Sequence, residues 1–215
     1  MIPPNSLVFV IDDDASVRKS LARLLRSADY KSEIFESASD FLARAPHDGP
    51  SCVVVDVQMP GLTGIELQKD LIQRHHREEQ LIFITGHGDI PMCAQAMKAG
   101  AVDFLRKPFR SDELLQCVQN ALIRSAEQRR RSAEKNDARR LLDLLTAREF
   151  EVMQLVITGM LNKQIAGELG LAEKTVKVHR GRVMQKLGVT SVAELVGLVQ
   201  RACVAPAART KTKVS

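Results

Sequence analysis

Five polar side chains stand at or directly after the ends of short apolar runs in this 215-residue sequence, and their types suit chemistry on a phosphoryl group. They are Asp12, Asp13, Asp56, Thr85 and Lys107. Three carboxylates that lie close together repel one another unless a cation lies among them, and oxygen-only ligands favour a hard ion such as Mg²⁺. A lysine and a hydroxyl can bind phosphoryl oxygens, and an aspartate oxygen is a competent phosphoryl acceptor. Brought together, these side chains would form a phosphoryl-binding site.

The apolar runs predict the strands that would bring these side chains together. Leu7–Ile11, Cys52–Val55 and Leu81–Ile84 are too short and too rich in β-branched or aromatic residues for helices. Weaker strands are predicted at Ile34–Phe35 and Asp103–Leu105. Five strands that alternate with five helices predict a doubly wound α/β fold, with a parallel sheet covered on both faces. Polar sites in such sheets collect at the carboxyl ends of the strands, so neighbouring first, third, fourth and fifth strands would place all five side chains on one edge.

Each polar residue also has an ordinary structural explanation. A lone aspartate after a strand is usually a helix cap or a turn residue, and we expect Asp14 to be such a cap. A lone threonine at a strand end, such as Thr85, usually has a structural role. Taken alone, Lys107 could be an ordinary surface charge. The recurrence of such residues at successive strand ends is what favours a site.

Charge divides the chain, whose formal net charge is +5. Residues 1–124 have a net charge of −3 and residues 146–215 a net charge of +6, so the acidic part could hold a cation and the basic part could bind a nucleic acid. The stretch 125–140 is rich in charged and small residues, which predicts an exposed helix extension that becomes a linker.

No run approaches the roughly 18 apolar residues that span a bilayer. The four cysteines lie far apart, which predicts reduced thiols in a cytoplasmic protein and argues against a disulfide scaffold or a zinc finger.

The end of the chain follows a purely helical pattern. Thr146 and Glu149 fit a capping box that opens one helix. Asn162 can cap a short helix to Leu169, and a tight turn leads to a helix from about Ala172, which gives helix-turn-helix proportions. The last of these helices carries Lys174, Thr175, Lys177, His179, Arg180, Arg182 and Lys186. Such a face could reach phosphates and guanine edges in the major groove, or it could simply be the solvated side of a small helical bundle.

The motifs around the five polar residues resemble the four signatures of two-component receiver domains. They are Val10–Asp14, Val55–Gly61, Ile84–Asp89 and Lys107–Phe109, in the order and spacing of that family. The resemblance covers about residues 6–120, and within this family the sequence is particularly similar to the FixJ subfamily. It implies a flavodoxin-like receiver fold.

The receiver resemblance implies a role for each acidic residue. Asp56 would take a phosphoryl group from the phosphohistidine of a sensor histidine kinase. Asp13, Asp56 and the backbone carbonyl of Gln58 would bind Mg²⁺, with Asp12 helping directly or through water. Such a receiver would catalyse only its own phosphoryl transfer and dephosphorylation, so the protein is not expected to be an enzyme on other substrates.

The same resemblance implies a switch. Thr85 and Lys107 would bind phosphoryl oxygens, and Lys107–Pro108 would be a cis peptide bond. Phe104 occupies the switch-aromatic position, and it would turn inward when the Thr85 hydroxyl moves to the phosphorylated aspartate; the ordinary alternative for Phe104 is a core residue. The face formed by about residues 90–121 would then change, and similar proteins dimerise through that face.

The second half resembles the LuxR/NarL output domain over about residues 138–203. The segments that carry the resemblance are Leu145–Glu149, Asn162–Ala166 and Lys174–Arg180. It implies a helix-turn-helix at about residues 162–181 whose second helix reads DNA. Lys177 and Val178 would face bases, Lys174 would add to the DNA-binding set, and the phosphate candidates are Thr175, His179, Arg180 and Arg182. Gly181 stands where some relatives carry a DNA-reaching side chain, so one expected contact is missing, and Arg180 or Arg182 is a candidate to replace it.

Together these features predict a phosphorylation-gated response regulator. Its parts would be a receiver domain at 6–120, a linker helix at 121–137, a DNA-binding domain at 138–203 and a disordered tail at 204–215. The expected partners are a sensor histidine kinase, promoter DNA, a second copy of the phosphorylated chain and RNA polymerase, in the role of a transcription activator.

Two other functions also fit part of the sequence. Asp12-x-Asp14-x-Ser16 superficially resembles the nucleophile motif of haloacid dehalogenase phosphatases, with Asp12 as the nucleophile and Asp14 as the acid-base group. That interpretation leaves Asp56 and the basic end unexplained. An RNA-binding or scaffolding regulator without DNA specificity is the other alternative.

Overall fold

The computed structural model describes residues 2–73, 79–86 and 100–204. The chain divides into two compact units, residues 1–129 and residues 130–215, and each is described by itself. No helix within these described ranges is long and apolar enough to cross a membrane.

The first unit contains a five-stranded sheet. Its strands are β1 (Leu7–Ile11), β2 (Ser32–Phe35), β3 (Ser51–Asp56), β4 (Gln80–Thr85) and β5 (Asp103–Arg106). The described helices that begin in this unit are α1 (Ala15–Ser27), α2 (Ala38–Ala43), α3 (Gly64–Gln73) and α4 (Ser111–Leu142). All strand pairs are parallel and the strand order is β2-β1-β3-β4-β5, which confirms the predicted fold. The helix predicted near Met92–Ala99 lies outside the described residues.

The central strand β3 is buried along its whole length, because helices cover both faces of the sheet. Cys52 and Val54 pack into a core cluster that contains residues of α1 and α4. Val53 and Val55 point to the opposite face, where the cluster contains residues of α2 and α3. The alternation of side chains along β3 therefore fixes the strand between two cores, and with it the position of Asp56 at its end.

The register of the strands brings their carboxyl ends to one edge of the sheet. Ile11 pairs with Val55, and Asp56 pairs with Ile84 on the other side. The next residue of β4, Thr85, pairs with Arg106, and its carbonyl accepts a hydrogen bond of 2.7 Å from the amide of the residue after Arg106. The loops that follow β1, β3, β4 and β5 therefore begin side by side, as the sequence predicted.

The long helix α4 contains the division between the two units. Residues of its first half, Leu114, Val118 and Leu122, belong to the core of the first unit. Residues of its second half, Ala138 and Leu142, belong to the core of the second. The predicted linker at 121–137 is thus helical, and the division between the two units, after residue 129, falls inside it.

The second unit is helical, as predicted. After α4 come α5 (Ala147–Ile157), α6 (Asn162–Leu169), α7 (Glu173–Leu187) and α8 (Val192–Arg201). The predicted capping box at the start of α5 is present, because Thr146 and Glu149 bond to each other's backbone amides. Gly170 ends α6 with a φ of +63°, a left-handed conformation that favours glycine.

The expected cap of α6 is wrong. Asn162 is the first residue of the helix rather than its cap, and the cap position is held by Leu161. The Gln164 side chain accepts a 2.8 Å hydrogen bond from the Leu161 amide. Since glutamine three residues on performs the reciprocal half of a capping box, the Asn162 side chain is available for a contact with another helix.

Candidate phosphoryl-acceptor site and nucleic-acid interface

The loop after β1 is fixed by short-range hydrogen bonds. The Asp14 carboxylate accepts from the amides of Ser16 and Val17 at 2.7 and 3.4 Å, so it caps α1 as predicted. The Asp12 carboxylate accepts from the Asp14 amide at 2.9 Å. Because Asp14 is engaged as a cap, it is not placed as the acid-base group that the phosphatase alternative requires.

A residue that the sequence reasoning missed also holds this loop. Arg18, on the first turns of α1, donates from Nη1 to the Asp12 carbonyl at 2.6 Å. Its Nη2 lies 3.7 Å from a Glu36 carboxylate oxygen, although that side chain is largely exposed. A backbone carbonyl has no sequence signature, so only a basic residue one turn after the loop could have suggested the contact.

Three carboxylates meet at the predicted edge of the sheet. One oxygen each of Asp12, Asp13 and Asp56 lies within 4.8 Å of the others. Asp12 and Asp56 are buried, whereas Asp13 is exposed. Asp56 Oδ1 accepts from the amide of Gln58 at 3.1 Å, which orients the carboxylate at the end of β3. This all-oxygen donor set fits a hard divalent cation.

Lys107 lies between two of these carboxylates. Its Nζ donates to Asp12 Oδ2 at 2.8 Å and to Asp56 Oδ2 at 2.6 Å. Burial alone would lower the pKa of Lys107, but the two carboxylates outweigh it and the pKa is raised. Burial also raises the pKa of Asp12, against the opposing effect of the Lys107 hydrogen bond. The ammonium group therefore stays charged and offsets part of the repulsion among the aspartates.

The remaining residues of the predicted site lie on β4 and β5. Thr85 is buried at the end of β4, and Phe104 is half-buried on β5 with its ring centroid 6.4 Å from that of Phe83. The peptide bond between Lys107 and Pro108 is cis, as the resemblance implied. The predicted loop movement concerns residues 86–89, of which only Gly86 lies within the described residues.

The second unit contains the predicted helix-turn-helix in α6 and α7. Ile165 of α6 and Val176 and Val183 of α7 are buried in one core cluster. The side of α7 that faces away from this core is exposed, and it carries Lys174, Lys177, Val178 and Arg182. The valine exposes 46% of its surface, so its side chain is accessible on this face.

Three of the predicted DNA contacts are only half-exposed: Thr175, His179 and Arg180. His179 Nδ1 is buried and has no hydrogen-bond partner among the described residues, which fits packing better than a phosphate contact. Arg180 Nη1 donates to Asn162 Oδ1 at 3.1 Å and joins the two helices of the motif. Sequence reasoning did not foresee this contact, because it crosses 18 residues.

Both ends of the motif are held by charged residues of α5. The Arg148 guanidinium donates to the Leu169 carbonyl at 2.7 Å and so satisfies the end of α6. Lys186, at the end of α7, donates to the buried Glu149 carboxylate at 2.6 Å and to the Leu144 carbonyl at 3.1 Å. Lys186 therefore supports the fold rather than the exposed basic face.

Comparison with known proteins identifies both units. Residues 8–119 match the response regulator receiver domain and residues 143–199 match the luxR family of bacterial regulatory proteins. Both matches lie inside the predicted domains. Nodulation protein W of Bradyrhizobium diazoefficiens is 48% identical over 191 residues, which make up 89% of this chain and 84% of that protein. Transcriptional regulatory protein FixJ of Azorhizobium caulinodans is 44% identical over 206 residues, or 95% and 97% of the two chains.

A solved structure agrees with these matches. The response regulator StyR is 49% identical, with a TM-score of 0.79 over 92% of this chain and 99% of that one. The sheet order, the aspartate cluster at its edge and the helix-turn-helix are thus found in a chain that is similar to known regulators along nearly its whole length. The chain belongs to the two-component response regulators that join a receiver domain to a LuxR-type DNA-binding domain and regulate transcription.

Proposed function

We propose that Asp56 takes a phosphoryl group from the phosphohistidine of a sensor histidine kinase, and that this modification controls the binding of promoter DNA by α7. The observation that carries the proposal is the position of Lys107 Nζ, at 2.6 Å from Asp56 and 2.8 Å from Asp12. A fixed cation between two carboxylates of an acidic cluster suits a site where one of them gains negative charge on phosphorylation.

The transfer exchanges one bond to phosphorus for another. An Asp56 carboxylate oxygen forms the new bond, and the bond from phosphorus to the kinase imidazole nitrogen breaks. The electron pair of that bond stays on the nitrogen of the leaving imidazole. Lys107 would then pair with an oxygen of the phosphoryl group, and the hydroxyl of Thr85, at the adjacent strand end, would bind a second one.

Asp12, Asp13 and Asp56 would hold Mg²⁺, together with the backbone carbonyl of Gln58. The support is the all-oxygen donor set, whose three carboxylates have oxygens within 4.8 Å of one another. When bound, the ion would counter the charge of the phosphoryl oxygens. The exposed Asp13 carboxylate is the member of the set that solvent reaches most easily, so it marks the side from which an ion would enter.

The receiver would act on its own aspartate and on no other substrate. Gly86 supports access to the acceptor: a Cβ atom built there meets no atom of the described residues within 4 Å. A phosphohistidine and, later, a hydrolytic water would therefore approach Asp56 without a side chain at this position. With a sensor kinase and promoter DNA as its partners, the protein would act in the cytoplasm.

Phosphorylation would reach α7 through dimerisation. Phe104, half-buried beside Phe83, would turn inward as Thr85 moves. The face predicted at about residues 90–121, of which residues 90–99 lie outside the described residues, would bind a second phosphorylated copy. Two α7 helices would then lie about one DNA turn apart, roughly 10 bp, on an inverted repeat. A DNA-bound dimer could contact RNA polymerase, which would make the protein an activator.

Acetyl phosphate and MgCl₂ test the acceptor with the full chain. A stable label should appear on the wild-type protein, disappear in Asp56→Asn and remain in Asp29→Asn. Asp29 is a matched control because it is a surface aspartate with a φ of +61°, a conformation that asparagine tolerates. Rapid turnover of acetyl phosphate that depends on Asp12 would refute the proposal in favour of a phosphatase.

DNA selection tests the gating. The full chain, with and without acetyl phosphate, is used to select duplexes from a random-sequence library, and the enriched duplex is titrated by fluorescence anisotropy. Phosphorylation should raise the affinity for the enriched inverted repeat and leave Asp56→Asn unchanged. Equal affinity for every duplex, with no response to phosphorylation, would contradict the proposal.

A further inference from the structure

One position in the middle of α7 has no side chain. Gly181 is exposed, and α7 continues for eight residues before it and six after it. Glycine is a poor residue for a helix interior because it gains backbone freedom on unfolding that other residues lack. The free protein offers no compensation: a Cβ atom at Gly181 meets no atom of the described residues within 4 Å. The backbone there is also not left-handed, so it does not call for glycine.

Gly181 lies at the centre of the exposed face of α7. Residues three, four or seven positions apart share one side of a helix, and the residues that share this side are Lys174, Lys177, Val178, Gly181 and Gln185. All five are exposed. The missing side chain therefore leaves a notch in this face. Lys174 and Lys177 border it toward the start of the helix, and Gln185 borders it toward the end.

Arg180, the residue before the notch, does not fill it. Its guanidinium donates to Asn162 on α6 and is held on that side of the motif. The residue on the other side, Arg182, is exposed, and it lies one position away around the helix rather than along the same face. The notch is therefore open to whatever molecule docks on this face.

We propose that Gly181 sets how deeply α7 enters the major groove of duplex DNA. With no side chain at 181, the helix backbone can lie against the wall of the groove, and Lys177 and Val178, about one turn earlier, come within reach of base edges. Glycine is the residue that permits such a close backbone approach to a ligand. This inference rests on the proposed function, because it requires α7 to be the DNA-reading helix.

The test compares Gly181→Ala with Gly167→Ala in the full chain. Gly167 is a matched control: it is exposed inside α6, and a Cβ atom there also meets no atom of the described residues within 4 Å. Both variants should raise the melting temperature of the second unit by about 2–8 °C, because alanine favours the helix. Only Gly181→Ala should weaken binding to the selected duplex, by tenfold or more, while Gly167→Ala stays within twofold.

Gly181→Leu should weaken the specific complex further than alanine does and should affect a random duplex much less, because non-specific binding depends on phosphates rather than on depth in the groove. Unchanged or tighter specific binding by Gly181→Ala would overturn the inference. So would a lower melting temperature, since the free protein would then need the glycine.

Lys177→Ala, measured on the same duplex, separates this inference from the proposed function. If Lys177→Ala weakens specific binding and Gly181→Ala does not, α7 reads DNA and only the role of Gly181 is wrong. If neither variant changes binding, α7 is not the DNA-reading helix, and both proposals fail.

Discussion

The carboxylate of Glu149 joins the first turn of α5 to the last turn of α7, because its Oε2 lies 2.6 Å from Lys186 Nζ. The same carboxylate accepts from the Thr146 amide at 2.9 Å, so one buried side chain both caps α5 and fixes the end of α7. The two donors lower the pKa of Glu149 to about 2, with Lys186 as the larger influence.

This pair predicts how the stability of the second unit depends on pH. The folded-state pKa of Glu149 lies below its ordinary value of 4.5, so its stabilisation is fully present above pH 4.5 and is lost as the pH falls toward about 2. Calorimetry of the wild-type chain should show a falling melting temperature for this unit across that window. Glu149→Gln should melt lower at neutral pH and lose less across the window. If the melting temperatures of the two proteins fall equally with pH, Glu149 is not responsible for the loss of stability at low pH.

Ser125 should matter for the stability of the first unit. Its hydroxyl accepts a 3.0 Å hydrogen bond from the amide of Ser51, at the start of β3, and both residues are buried. Ser125→Ala leaves that amide without a partner, which should cost about 1–3 kcal/mol of unfolding free energy. Urea unfolding measures the loss. Ser27→Ala, at the exposed end of α1, is the control and should change stability by less than about 0.5 kcal/mol.

Lys107→Met should separate metal binding from phosphoryl transfer. Removing the ammonium group leaves Asp12 and Asp56 without their cation, so Mg²⁺ should bind at least as tightly in a calorimetric titration. Labelling of Asp56 by acetyl phosphate should slow by about 10²–10³-fold, because a preorganised charge on the phosphoryl oxygens is lost. Labelling at the wild-type rate would show that Lys107 has no part in the transfer.

Lys177→Ala should weaken DNA binding selectively. If the ammonium group contacts a base edge, the loss on the selected duplex should be about 1–3 kcal/mol, with little change on other sequences. The exposed Lys19 of α1 provides a control substitution that should leave both affinities as they are. An equal, small loss on every duplex, with a shallower salt dependence, would identify Lys177 as a phosphate contact instead.

Phe104→Ala should uncouple phosphorylation from dimerisation. The acceptor site does not include the ring, so labelling of Asp56 should proceed normally, whereas sedimentation should find less dimer than in the phosphorylated wild-type protein. Phe104→Leu keeps apolar bulk on β5 and controls for loss of packing beside Phe83. A Phe104→Ala protein that dimerises as readily as the wild type would remove the switching role.

The sequence predicted the features that depend on local patterns. Strand runs gave the sheet, and the residues at strand ends gave Asp12, Asp56 and Lys107, because parallel strands end at a common edge. The caps at Asp14 and Thr146 were also predictable, since they act within three residues along the chain.

The contacts that escaped prediction join distant parts of the chain or use backbone carbonyls. Ser125 meets Ser51 across 74 residues, and Lys186 meets Glu149 across 37. Such contacts depend on how helices pack, and one sequence carries no periodic signal for them. Asn162 was misjudged for a related reason: as an isolated residue it suits a helix cap, but Gln164 supplies the local bond and leaves Asn162 for Arg180.

The bond between Arg180 and Asn162 has an evolutionary consequence. Two residues on different helices are tied together inside the motif, so a change at one alters the selective value of the other. Replacement of Asn162 by an apolar residue would free the Arg180 guanidinium to bind phosphates, which would raise the affinity for every duplex alike. Among natural variants, the residues at positions 162 and 180 should therefore change together.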